Sequence, residues 1–392
     1  MNPKILDSEV QDYIRQSTDA DINRIALGKT LFEGVTQREL AEQIDSRKRC
    51  EKKLPLWFTT KRIYYPPKLS VEQSSSETTA RFKANLAKGN TLIDLTGGFG
   101  ADSFYFEKNG FQVTHCEIDT ELSEISKYNA GILNALDITF YNGDGLDLLN
   151  NNQFYDTIYV DPSRRINTQK VFKLQDCEPN IPANLKKLKN SSSRLIIKTS
   201  PLLDIQAGIN ELGQVSQIYI LSVKNDCKEL LWIIDSDNIG IDTEIIAHTF
   251  NDQAEKEYRF MVSEERSFVL NQFSEPLKYI YEPDVALMKS GCFKLITRDF
   301  KVIKIHPNSQ LYTSDKLQED FLGRKFIVHQ SWDYKTFIKV NMVKKANVIS
   351  RNFPATPQEI KKKHHITDGG EDFLIFTTAP SGQLIVVHCR KV

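Results

Sequence analysis

Four carboxylates stand at the ends of short apolar segments. Asp94 closes Thr91-Leu92-Ile93, and Glu117 closes Val113-Thr114-His115-Cys116. Asp144 follows Ile138–Asn142 across Gly143, and Asp161 closes Tyr155–Val160. Thr96, Gly97, Gly98 and Gly100 come after the first acid, with Asp102 just beyond them. Glycines let a chain turn tightly and bring its backbone against a ligand. Carboxylates accept hydrogen bonds from hydroxyl and amine groups and draw cations. The fourth acid is followed by Pro162, Ser163 and Arg164. Proline donates no N–H and keeps the residue before it extended. The Asp161 carboxylate and carbonyl can then both face a pocket and accept from an exocyclic NH2. Arg164 can lie over a base plane or bind a phosphate.

These residues need a frame that holds strand ends level. Thr91–Asp94 reads as a strand, Gly97–Gly100 as a tight turn, and the residues after it as a helix start. A strand, a Gly-rich turn and a helix N-terminus make the ligand-binding corner of a doubly wound α/β sheet. Glu117 ends the next strand, at the spacing of about 20 residues that places an acid on ribose hydroxyls. Two more strands follow at Arg194–Lys198 and Val215–Val223. Lys224–Glu229 leads into Leu230–Asp235, an expected antiparallel hairpin that closes the sheet.

From Gln73 to Asp235 the chain resembles the class I S-adenosylmethionine (SAM)-dependent methyltransferases, in particular the nucleic-acid-modifying group. The resemblance implies a Rossmann-like α/β sheet, parallel with an antiparallel hairpin of its sixth and seventh strands. It implies SAM as cofactor. Asp94, Thr96, Gly97, Gly98, Gly100 and Asp102 would surround its amino-acid end, Glu117 its ribose and Asp144 its adenine. Asp161, Pro162, Ser163 and Arg164 would line the acceptor pocket. Ser163-Arg164 stands where the group usually has Pro and an aromatic, which bears on the acceptor rather than on the cofactor. Gly98-x-Gly100-x-x-Ser103 is a partial dinucleotide fingerprint. A pyrophosphate beside Asp94 would be repelled, whereas a sulfonium and an amino group tolerate nearby acids.

The chain has 392 residues, 40% hydrophobic, with 51 basic and 51 acidic side chains. Balanced charge excludes a strongly basic nucleic-acid binder and leaves local patches possible. No run approaches the ~18 apolar residues of a membrane span, and the first residues lack an apolar signal core. The six cysteines form no C-x-x-C pair and read as reduced cytoplasmic thiols, with no metal expected.

The chain divides into a helical region (1–70), the methyltransferase domain (71–238) and two small α+β domains (239–325 and 326–392). Thr36-Gln37-Arg38-Glu39 reads as a capping box. A basic, aromatic run follows (Arg47, Lys48, Arg49, Lys52, Lys53, Trp57, Phe58, Lys61, Arg62, Tyr64). It suits either a packed segment or a nucleic-acid contact. Ser74-x-x-Glu77 is a second expected capping box. Residues 240–275 give no clear pattern. The final segment reads β-α-β-α-β-β, with Thr356-Pro357-Gln358-Glu359 starting its second helix and Lys361–His365 ending it. The tail resembles a ferredoxin-like domain followed by a THUMP-like one, an appendage of RNA-modifying enzymes. The whole implies methylation of a base nitrogen in rRNA or tRNA, recruited by the C-terminal domains. Lys344, Lys345, Arg351, Lys361, Lys362 and Lys363 are the candidate RNA cations. A protein or small-molecule acceptor, or a non-catalytic SAM- and RNA-binding role, are the alternatives. Nothing in the sequence sets the oligomeric state.

Overall fold

The computed structural model describes residues 1–151, 153–164, 173–237, 240, 242–251, 254–340 and 343–392, with only the backbone described at Asn151 and Arg164. Two compact units emerge. One comprises Met1–Thr199, Gln206–Val215 and Trp232–Ile239; the other comprises Ser200–Ile205, Ser216–Leu231 and Gly240–Val392.

The first unit opens with short helices and α1 (Gln37–Lys53), whose capping box forms as expected: Thr36 accepts from the Glu39 N–H while Glu39 reaches back to Thr36. The basic run beyond it is largely structural. Arg47 is buried, its guanidinium 3.9 Å above the Phe58 ring. Arg49 pairs with Asp45 and Glu72, and Lys48 with Asp19. Trp57 is buried edge-on against Phe104 at 4.9 Å, and the Tyr65 hydroxyl donates to its carbonyl. Of the run, Lys48, Lys52, Lys61 and Arg62 are exposed.

The second expected capping box is corrected. Helix α2 spans Glu77–Leu86, and its N-cap is Ser76, which accepts from the Thr79 N–H at 3.2 Å. Ser74 instead closes the preceding helix, and Glu77 pairs with Arg81 one turn on. Placing the N-cap next to the first helical residue makes Thr79 the third position, so no acid is there to close a box.

The sheet of this unit contains β1 (Thr91–Asp94), β2 (Gln112–Glu117), β3 (Ile138–Asn142), β4 (Tyr155–Val160) and β5 (Ser192–Thr199). They run parallel in the order β3-β2-β1-β4-β5, and residues 232–235 of β7 (Asp226–Asp235) lie beyond β5. Arg194 on β5 grips Asp235 with two 2.7 Å bonds. The helices between strands include α3 (Ala101–Lys108), α4 (Thr120–Ile132) and α5 (Ile181–Asn190). Leu92, Ile93, Ile158, Val160, Leu195, Ile196 and Ile197 are all buried. Such near-continuous apolar runs are what a parallel sheet covered on both faces demands. The register pairs Asp94 with His115 and Tyr159, Glu117 with Asn142, and Val160 with Ile197. The carboxyl ends of the strands are therefore level, where an open α/β sheet holds its ligands.

In the second unit, residues 226–231 of β7 neighbour β6 (Gln217–Val223) across a two-residue turn. Lys224 and Asn225 take φ of 53° and 61° there, as hairpin turns of this length require. The segment without a sequence pattern adds β8 (Glu244–Phe250), parallel to β6, and β9 (Glu255–Met261), antiparallel to β8. A separate seven-stranded sheet follows, made of β10 (Tyr279–Pro283), β11 (Ile303–Lys304), β12 (Tyr312–Ser314), β13 (Gly323–Asp333), β14 (Asn347–Ser350), β15 (Asp372–Thr378) and β16 (Leu384–Lys391). Its order is β11-β12-β10-β13-β16-β15-β14, so the two small segments share one sheet through the β10–β13 pairing. The alternation of a two-sided sheet is visible in β15 and β16. Leu374, Phe376 and Val386 pack with Phe337 of α6 (Tyr334–Val340) and Ile360 of α7 (Pro357–His364). Ile375, Ile385 and Val387 pack with Ile280, Leu311 and Phe326. The expected β-α-β-α-β-β order and the Thr356 capping box are both present. Among the described residues no helix is long and apolar enough to cross a membrane.

A crevice at the strand ends

The glycine loop is held by the two acids nearest to it. Asp94 is fully buried; its Oδ1 accepts from the Thr96 N–H (3.1 Å) and its Oδ2 from the Ser103 hydroxyl (2.7 Å). Ser103 in turn meets His115 Nδ1 at 3.0 Å. Burial pushes the Asp94 carboxyl up to about 7 and the His115 imidazole down to about 3, so His115 is neutral at physiological pH. His115 Nε2 has no hydrogen-bond partner among the described residues, and its ring lies against Gly97. A Cβ at Gly97 would stand 2.1 Å from His115 Cε1, so packing excludes any side chain there. Gly98 and Gly100 take φ of 55° and 82°, conformations that L side chains rarely adopt. Asp94 thus shapes the loop from beneath and does not line its open side.

Asp102 is likewise enclosed. Its Oδ1 meets the fully buried Lys83 ammonium at 3.0 Å, and its Oδ2 accepts from Ser75 (2.7 Å) and from the Tyr159 hydroxyl (2.9 Å). Lys83 also donates to Ser75 at 2.6 Å. Burial alone would raise the Asp102 pKa, but the cations Lys83 and Lys198 and the hydrogen bonds outweigh it and hold the carboxyl below its ordinary range. The network ties the Ser75 segment to α3 and β4.

Glu117, by contrast, sits at the open end of β2. Its Oε2 accepts from the Gly98 N–H (2.9 Å) and its Oε1 from the Asp119 N–H (2.8 Å). A carboxylate has about four lone-pair sites, so capacity remains for a ligand. Ile118, next in the chain, is 68% exposed, unusual for an isoleucine at a strand end and unremarked in the sequence pattern. Asp144 is exposed beyond β3 and caps the turn at Gly145 through the Leu146 N–H (2.9 Å).

At the end of β4 the Asp161 N–H donates to Thr96 Oγ1 at 2.7 Å, which fixes this residue to the glycine loop. Its carboxylate pairs with the ammonium of Lys198 on β5, a residue the sequence pattern did not single out. Pro162 is buried and Ser163 is exposed. Ser163 and Arg164 form a two-residue ladder with Cys177 and Glu178; the Arg164 side chain lies outside the described residues. The structure therefore brings Thr96, Gly98, Glu117 and Asp161 to one end of the sheet, with Asp144 at its β3 side, and places Asp94 and Asp102 underneath.

In the second unit, Arg351 pairs with buried Glu282 and Lys361 with Asp368. Lys344, Lys345, Lys362 and Lys363 are exposed, and the Lys345–Thr367 bridge brings the first pair beside the end of α7.

A ferredoxin-like domain model matches residues 279–321, and a THUMP domain-like model matches residues 327–391. Two curated 23S rRNA (uracil(747)-C(5))-methyltransferases, from Pyrococcus abyssi and Pyrococcus horikoshii, are each 36% identical over 81 and 78 residues. Those stretches are 21% and 20% of this chain, which spans only 19% and 18% of the length of these relatives. A crystal structure from Porphyromonas gingivalis W83, provisionally named a methyltransferase, matches with a TM-score of 0.88 and 30% identity, over 99% of this chain and 98% of that one. Shared sequence and shared fold over almost the full length of both chains place this protein in the methyltransferase family of the Porphyromonas gingivalis protein.

Proposed function

We propose that the protein is a SAM-dependent RNA methyltransferase whose cofactor lies across the ends of β1, β2 and β3 and whose acceptor meets Asp161. The observation that carries this reading is the Glu117–Gly98 bond: one carboxylate shapes the loop and still faces the crevice. The donor set fits SAM. Glu117 keeps lone pairs for the ribose hydroxyls, exposed Ile118 offers an apolar surface for adenine, and Asp144 stands by for its polar edge. Gly98 and Gly100 keep the loop backbone open toward the amino-acid end. The acids at this end suit a sulfonium and an amino group better than a pyrophosphate. When bound, the cofactor supplies a methyl group on a cationic sulfur.

The protein's own part is positional. Thr96 and Asp161 link the loop to the acceptor pocket, so both reactants are placed by one hydrogen-bonded unit. Holding two reactants in line lowers the barrier by removing entropy in advance. The exposed lysines at the end of α7 support RNA recruitment by the second unit, since exposed cations neutralise phosphates. The names of the Pyrococcus relatives support RNA as the substrate class.

Calorimetry tests the cofactor assignment. Wild type binds SAM and S-adenosylhomocysteine at one site per chain, and not NAD. Glu117→Ala loses a ribose acceptor and loosens the loop, which weakens SAM by about 1–3 kcal/mol. Tight NAD binding, or an unchanged SAM affinity in the variant, contradicts the assignment.

A further inference from the structure

We infer that the acceptor is a hydroxyl, the ribose 2′-OH of RNA, held jointly by Lys198 and Asp161. The inference rests on the RNA methyltransferase reading and names the atom that site would methylate.

The sheet itself builds the pair. Val160 and Ile197 are register partners on adjacent parallel strands, so the next residues, Asp161 and Lys198, fall side by side at the strand ends. Their side chains are 30% and 12% exposed, partly open rather than sealed in the core. Thr96 fixes Asp161 to the glycine loop, where the methyl donor is placed. The ammonium of Lys198 also helps to hold the Asp102 carboxyl below its ordinary range.

The chemistry of the pair then selects the acceptor. An exocyclic amine presents two N–H donors and needs two acceptors. Asp161 could accept both, but the amine's single lone pair must attack the methyl group, so none is left to accept from the adjacent ammonium, which offers only donors. A hydroxyl has one donor and two lone pairs. It can give its proton to the Asp161 carboxylate, accept from Lys198 with one lone pair, and attack with the other. Enzymes that act on a flipped base clamp it between aromatic or apolar side chains. The last residue of this turn whose side chain is described, Ser163, is exposed and offers no ring for such a clamp. A ribose hydroxyl reaches such a site without leaving the base stack. In RNA that group is the 2′-OH.

The step balances on these groups. The hydroxyl oxygen forms a bond to the methyl carbon as the bond from that carbon to sulfur breaks. The electron pair stays on sulfur, which becomes a neutral thioether. The hydroxyl proton passes to the Asp161 carboxylate and from there to solvent, while Lys198 keeps its charge and holds the oxygen in place.

The test uses the full-length protein, SAM labelled in its methyl group, and total RNA from cells lacking the protein. A 2′-O-methyl group blocks alkaline cleavage at its own phosphodiester, so the label is expected in alkali-resistant dinucleotides. Lys198→Met lowers transfer about 100-fold or more, with SAM affinity within about twofold of wild type, and Lys198→Arg recovers part of the rate. Label released by alkali in mononucleotides overturns the hydroxyl inference and leaves the RNA reading intact. Absence of label from RNA, in a protein that binds SAM, overturns both. Wild-type turnover in Lys198→Met removes Lys198 from the site.

Discussion

Replacing Lys83 with methionine is expected to cost about 3–5 kcal/mol of stability, the range for removing one partner of a buried ion pair. Lys83 is fully buried, 3.0 Å from Asp102 and 2.6 Å from Ser75. Methionine fills the space but leaves the Asp102 carboxylate in the interior without its nearest cation. Against a total stability of about 5–15 kcal/mol, such a loss is large. The pH dependence identifies the cause. In the wild type the Asp102 carboxyl is held below its ordinary range. Its contribution is therefore present above the unfolded carboxylate pKa and is lost as pH falls through the folded one. In the variant, protonation removes the unpaired charge, so the stability gap between the two proteins narrows as pH falls toward about 4. Urea unfolding at several pH values measures this. A gap under about 1 kcal/mol, the same at every pH, means that the pair is not what holds the Ser75 segment to α3. A Lys83→Met/Asp102→Asn double variant should recover part of the loss, because neither charge of the pair remains.

Asp161→Asn is expected to lower methyl transfer by about 10²–10⁴-fold, the range for a positioned acid or base, while SAM affinity changes less than about threefold, well under 1 kcal/mol. Asparagine keeps the size of the side chain, and the backbone N–H bond to Thr96 is untouched. What it loses is the charge that pairs with Lys198 and, with it, the carboxylate proposed to receive the acceptor's proton. A change made only at the acceptor lowers turnover without weakening the cofactor. Equal losses of SAM affinity and rate would instead put Asp161 in the cofactor site. Single-turnover rates beside calorimetric affinities separate the two.

The crevice was legible in the sequence to the extent that its residues stand at strand ends. Glu117 and Asp161 close apolar segments, Asp144 follows one across Gly143, and parallel strands place those ends level. The role of Asp94 was not legible, because a strand-end acid has the same pattern whether it faces a ligand or, as here, Thr96 and Ser103. Lys83 and Lys198 were missed for a related reason. A lysine in a helix or a strand ordinarily reaches solvent, and only the register of β4 against β5 gives Lys198 its partner. The run from Arg47 to Tyr64 was ambiguous until its cations met Phe58, Asp45, Glu72 and Asp19. β8 and β9 carried no visible pattern because β8 is buried almost throughout while β9 is mostly charged. Neither matches the alternation that marks a half-buried strand. In the tail, caps and turns are local chemistry, which is why Thr356, Pro357 and Glu359 could be placed from sequence alone.

The most direct test of the account is transfer of labelled methyl from SAM to RNA taken from cells lacking the protein, with protein and small-molecule fractions of the same cells assayed alongside. The account predicts label in the RNA fraction, dependent on Asp161. Label only in protein or in small molecules, or no transfer by a protein that binds SAM, would contradict it.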